Sequence, residues 1–299
     1  MISRPIEIPS EEFSIKSKLK DYSQLFKVKL TLTVVFSAAM GYLLAVQGSI
    51  IWLDFILLVI GGFLVVGAAN GINQIIEKKY DKMMDRTANR PVATERMSIN
   101  EAAISCLIAG LGGVVILWLC LNLMSGLLAI FSLISYAFIY TPMKRISPIA
   151  VFIGAFPGAI APLLGWVAVT GKIDSVGLAL FTIQFIWQFP HFWAIAWLLH
   201  DDYKKAGYHL LPSYDGPGKK SALQIVFYTI VLIPMGLLPY QLGVSGIISA
   251  IIAILAAIYV LYKTIILYKT CSIADAKKVM FAALLYLPLV QLAFVLDKI

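Results

Sequence analysis

Nine apolar stretches constrain this chain more than any other feature of its sequence. They run at about residues 30–46, 55–76, 104–121, 123–140, 149–169, 176–199, 223–240, 247–267 and 279–295. Each is close to the ~20 residues an α-helix needs to cross the hydrocarbon core of a bilayer. Lipid offers no partners for backbone N–H and C=O groups, so such segments must satisfy themselves as helices. With 60% hydrophobic and 13% charged residues and a mean hydropathy of +0.88, no soluble domain would need so much apolar surface. The sequence therefore predicts an all-α, multi-pass membrane protein with about nine transmembrane helices. They form a single domain over residues 27–299, preceded by a polar cytosolic arm over 1–26.

The net charge of +8 is a topology signal and not a mark of nucleic-acid binding. Of the 24 Lys and Arg, all but Lys172 and Lys298 fall on or just after the arm, after the second, fourth and sixth apolar runs, and around the end of the eighth. Basic residues stay on the cytosolic side. This places the N-terminus inside and the C-terminus outside, as an odd number of crossings requires. Lys16, Lys18, Lys20, Lys27 and Lys29 are expected to lie against anionic headgroups. The arm has no apolar core of a signal peptide. Glu7, Glu11 and Glu12 argue against a transit peptide. A bacterial inner membrane is the expected location. The three cysteines suggest no disulfide framework.

The loop after the second run holds more than a topology signal needs. Asn73, Glu77, Asp81 and Asp85 recur every four residues. If the helix continues, each turns about 40° from the last and the four fan over one side. Asp and Glu contribute little to membrane orientation, so their presence wants another cause. Oxygen ligands at a helix end suit a hard cation such as Mg²⁺, which is held by one or two carboxylates plus substrate phosphates. Lys78, Arg86 and Arg90 stand nearby as phosphate partners. Lys144 and Arg145, at the end of the fourth run, read either as a positive-inside pair or as a further diphosphate contact.

The sixth run carries a second polar stripe. Gln184, Gln188 and His191 fall at i, i+4 and i+7, and the same face reaches Asp202, beside Asp201 and Lys204. Polar groups at mid-membrane face a bundle interior or a cavity. Trp187, Trp193 and Trp197 exceed what interfacial anchoring needs. Gly154, Pro157, Gly158, Pro162 and Gly165 predict a kinked or broken fifth helix. The last three helices, nearly free of polar residues, read as wall.

These elements resemble the UbiA superfamily of intramembrane prenyltransferases. Asn73-Gln74-x-x-Glu77-x-x-x-Asp81 is similar to that family's N-D-x-x-D-x-x-x-D motif, with Gln74 and Glu77 as departures. Met84, Arg86, Thr87, Arg90 and Pro91 resemble the family's heme-farnesylating branch. So do Tyr140–Arg145, Trp187-Gln188-x-Pro190-His191-Phe192-Trp193, and Asp202-Tyr203-x-x-Ala206-Gly207 with Leu211-Pro212. Lys79 and Leu198 stand where an acid is common in the branch or the superfamily. The resemblance implies a UbiA-type bundle that binds Mg²⁺ through Asn73, Glu77, Asp81 and Asp202, helped by Asp201. Asn73, Glu77, Asp81 and Asp202 would carry the catalysis. Arg86, Arg90, Lys144, Arg145 and Lys204 would hold the diphosphate of farnesyl diphosphate. The acceptor would be heme B, bound by Gln184, Trp187, Gln188 and His191, with membrane partners in terminal-oxidase assembly. A quinone-precursor prenyltransferase shares the metal site and is the alternative enzyme. A transporter would place its carboxylates near the midplane, whereas these cluster at one edge.

Overall fold

A computed structural model describes residues 15–299, so of the polar arm only its last part is described. All of the named secondary structure is helical: α1 Ile15–Leu25, α2 Val28–Ala45, α3 Trp52–Ile76, α4 Lys78–Asp81, α5 Ile99–Val115, α6 Leu123–Ile134, α7 Thr141–Met143, α8 Ile149–Thr170, α9 Ser175–Leu198, α10 His200–Lys205, α11 Lys219–Met235, α12 Leu238–Gln241, α13 Ile247–Thr270 and α14 Ile273–Leu296. Among the described residues nine segments are long and apolar enough to span a membrane.

Several helices begin earlier than hydropathy predicts, because polar caps set their ends. The Ser98 hydroxyl accepts from the Glu101 N–H, so α5 starts at Ile99. Ser272 does the same for Asp275, so α14 starts at Ile273 and carries Lys277 and Lys278 in its first turns. Such side chains satisfy N–H groups that the first turn leaves open.

The most enclosed element is α8. It packs on α2, on α9 and on α6. A Cβ added at Gly41 would collide with the Pro162 carbonyl, and one at Gly165 with the Ala38 carbonyl, so α2 and α8 touch backbone to backbone. Small residues permit that approach. Of the kink or break expected in α8, the break is absent: the helix runs unbroken through Pro157 and Pro162. Pro162 has no N–H for the Gly158 carbonyl four residues earlier. The Gln184 side chain of α9 donates to that carbonyl at 2.7 Å and replaces the lost bond.

Irregular backbone occurs elsewhere. π-helical segments at Ile116–Leu121 and Ser135–Tyr140 follow α5 and α6. The second leads into Thr141-Pro142 and turns Tyr136 and Tyr140 toward the interior cavity. Single π turns frequently mark functional sites.

Candidate active site

The first motif does not continue as one helix. α3 ends at Ile76, Glu77 leaves helical geometry (φ −89°, ψ 3°), and the single turn α4 carries the chain to Asp81. The loop then folds back, so that Arg90 reaches both carboxylate oxygens of Asp81 at 2.8 Å. Thr87 donates to the Asp81 carbonyl at 3.1 Å and holds that return. Lys144, entering from the end of α7, donates to Glu77 Oε1 at 2.9 Å. Lys27, between α1 and α2, donates to Asn73 Oδ1 at 3.2 Å, and the Asn73 amide donates to Thr141 at 3.1 Å. Asn73, Glu77, Asp81 and Lys144 are all buried.

Three cations thus surround two carboxylates. Burial pushes the Glu77 carboxyl up, but Lys144 and then Lys27 hold it below the usual range. Burial outweighs Arg90 at Asp81 and keeps that carboxyl above its ordinary value. At Lys27, burial and then the Arg90 and Lys144 charges drive the ammonium well below its usual pKa. That excess of positive charge fits an anionic ligand, whose arrival would relieve the crowding of cations.

Lys27 corrects one expectation: its amine turns inward to Asn73 instead of lying against headgroups. Its left-handed backbone (φ 45°, ψ 53°) at the junction of α1 and α2 aims it there. No periodic pattern in the sequence marks this residue.

The other expected residues divide into two groups. Asp202 is brought to the first motif, where its carboxylate accepts from the backbone N–H groups of Asp85 and Arg86 at 2.8 and 3.3 Å. Burial raises its pKa, but those two N–H groups and Lys205 hold it below the ordinary value. Asp85 pairs with Lys205 at 2.6 Å, and neither with Arg86 nor with Arg90. Asp201 and Lys204 are exposed on α10, Arg86 lies over the Tyr203 ring, and Arg145 over the Tyr80 ring. Among the described residues no three His, Cys, Asp or Glu side chains converge as a ready metal cage. The oxygen-only set of Asn73, Glu77 and Asp81 suits a hard divalent cation that a phosphate ligand completes.

Above this site lies a cavity of about 530 Å³, within the range of small-molecule sites. Asn70, Tyr136 and Tyr140 line one part of it, and Gln184, Trp187, Gln188 and His191 another. α3, through Val66, Ala69 and Asn70, and the predicted stripe of α9 therefore face one cavity across a gap, with α2, α8 and α14 completing its wall; Asn73, Glu77 and Asp81 are not in its lining. Trp187 and His191 stack at 4.9 Å with rings 14° from parallel. The Trp187 indole donates to the Ala283 carbonyl of α14 at 2.6 Å. Gln188 donates to the Ala155 carbonyl at 3.0 Å, so the glutamines fasten α9 to α8 as well as lining the space. The reading of α14 as mere wall is also corrected. Gln291 donates to Gln184 at 3.0 Å and accepts from Ser37 at 3.1 Å, which ties α14 to α9 and α2 at the cavity surface.

Comparison with known proteins agrees with this architecture. A protoheme IX farnesyltransferase of Cytophaga hutchinsonii is 51% identical over 283 residues, covering 95% of this chain and 99% of that protein. One from Flavobacterium johnsoniae is 43% identical over 292 residues, with 95% and 96% covered. A digeranylgeranylglyceryl phosphate synthase structure superposes with a TM-score of 0.78 at 26% identity, over 94% of this chain and 98% of that one. A UbiA homologue from Archaeoglobus fulgidus, solved with GPP and Mg²⁺, shares the fold with a TM-score of 0.64 at 14% identity, over 92% and 99%. Residues 34–286 match the model of the UbiA prenyltransferase family. By these matches and by its bundle, the chain belongs to the UbiA prenyltransferase family.

Proposed function

We propose that this protein transfers a farnesyl group from farnesyl diphosphate to a vinyl group of heme B, giving heme O. The observation that carries the reading is the cavity lined by Asn70 of α3 and the polar stripe of α9, with the cation-rich carboxylate site starting at Asn73, one turn along α3 from Asn70. The diphosphate is held by Arg90, Lys144 and Lys27. Asn73, Glu77 and Asp81 would hold Mg²⁺. Bound there, Mg²⁺ supplies the charge that lets diphosphate leave. Fixed cations matter most as negative charge develops on the leaving group. The allylic C–O bond breaks, the diphosphate keeps the electron pair, and the vinyl carbon bonds to the farnesyl cation. Water then takes up the positive charge on the heme side and loses a proton, leaving a hydroxyl. Apolar walls keep stray water from the first cation, and the faces of Tyr136 and Tyr140 stabilise it.

The heme plane lies along the face of Gln184, Trp187, Gln188 and His191, where a large flat acceptor finds aromatic and polar contacts. The basic ends face the cytosol of a bacterial inner membrane, where the product supplies terminal-oxidase assembly. Detergent-purified protein given Mg²⁺, farnesyl diphosphate and heme B is expected to yield a heme heavier by one farnesyl and one hydroxyl, read by chromatography with mass detection. Prenylation of a hydroxybenzoate or dihydroxynaphthoate, with no heme product, would move the acceptor to a quinone precursor.

A further inference from the structure

Tyr208 sits beside the carboxylate site on a loop whose other residues have no chemical part in the account above. Its side chain is 6% exposed. The ring is set between Tyr80, at 6.2 Å, and Tyr203, at 6.0 Å. Its hydroxyl is fully buried, interacts with the Glu77 carboxylate and neighbours Asp81, yet it completes no hydrogen bond of ordinary geometry. A buried phenolic hydroxyl held to a neighbouring carboxylate at imperfect geometry is poorly satisfied, because it forfeits its hydrogen bonds to water. Such a group stands where a ligand completes the arrangement.

The loop is pinned so that the hydroxyl stays there. Gly207 turns the chain in the left-handed region (φ 69°), where other residues are strained. The Tyr208 N–H donates to the Tyr203 carbonyl at 3.0 Å. The next N–H, that of His209, donates to the carbonyl of Lys144 at 3.0 Å. Lys144 is itself bound to Glu77. Tyr208 is thereby tied through the backbone to one of the three cations. Glu77 Oε1 is taken by Lys144, and both Asp81 oxygens by Arg90. An arriving diphosphate would bring new acceptor oxygens among Lys27, Arg90 and Lys144. A phenol is a directional donor that suits such an oxygen.

We propose that Tyr208 is a substrate-binding residue whose hydroxyl donates to the diphosphate of the prenyl donor. This rests on the diphosphate site of the proposed function. Tyr208→Phe keeps the ring between Tyr80 and Tyr203 and removes only the donor. Calorimetric titration with inorganic pyrophosphate in the presence of Mg²⁺ separates the possibilities. A hydrogen bond to a charged group corresponds to about tenfold in affinity. The variant is expected to bind pyrophosphate about tenfold more weakly, to raise KM for farnesyl diphosphate in like proportion, and to leave KM for the acceptor unchanged. Its melting temperature without ligand should stay close to that of the wild type, since the lost hydroxyl makes only an imperfect contact with Glu77, while the rise on adding pyrophosphate should shrink. Equal pyrophosphate affinity in variant and wild type would overturn the role of Tyr208 alone. Failure of the wild type to bind Mg²⁺-pyrophosphate would instead overturn the diphosphate site itself. A variant that melts well below the wild type would assign Tyr208 to packing and also overturn the proposal.

Discussion

At the scale of residues, two acids of the first motif, Asp81 and Asp85, have opposite fates. Asp81 is buried and held by both bonds from Arg90, whereas the Asp85 side chain is 86% exposed and pairs with Lys205, itself 44% exposed. Exposed ion pairs contribute little, while a buried charge deprived of its partner is costly. Asp81→Asn is therefore expected to lower turnover by about a hundredfold or more and to lower the melting temperature, because Arg90 loses its counter-charge. Asp85→Ala should stay within about twofold of wild-type turnover and melt as the wild type does. Steady-state rates and thermal melts of the two variants check this, and a damaged Asp85→Ala beside an intact Asp81→Asn would reverse the assignment. Spacing made Asn73, Glu77 and Asp81 legible as a group. It could not show Lys27 or Tyr208, because one is aimed by a left-handed residue and the other by a turn at Gly207. Both are tertiary placements that carry no helical period.

At the scale of elements, hydropathy placed the helices well and their ends poorly. The spans follow from apolar length, but α5, α11 and α14 extend into polar sequence that apolar windows exclude. Proline content predicted a kink or a break in α8; the helix is continuous, and the bond lost at Pro162 is replaced by a side chain from another helix, Gln184 of α9. The same junction yields a prediction. A Cβ at Gly158 would collide with the Gln188 carboxamide, which would have to leave the Ala155 carbonyl and swing into the cavity. Gly158→Ala should weaken heme binding about tenfold, as loss of a well-fitted contact does, and leave farnesyl diphosphate affinity within about twofold. Absorbance titration with heme and calorimetry with the diphosphate separate the two effects. Equal losses of both affinities would mean a general collapse of the α8–α9 contact.

At the scale of the whole molecule, α8 is the post around which the bundle closes. α2, α6 and α9 all pack on it, while α14 joins α9 to α2. The result is one cavity with a charged site beside one end and a glutamine–histidine face along its wall. The sequence revealed both motifs, but not that α3 and α9 would meet across open space and not in direct packing. That separation gives room for two substrates. It also makes the central claim directly measurable: a cryo-electron microscopy structure with Mg²⁺, heme B and a non-ionising thio-analogue of farnesyl diphosphate. The account predicts the diphosphate among Lys27, Arg90 and Lys144, metal density at Glu77 and Asp81, and the heme plane in the cavity beside Trp187 and His191. A diphosphate on the exposed face of Arg86 and Arg145, or heme outside the cavity, would contradict it.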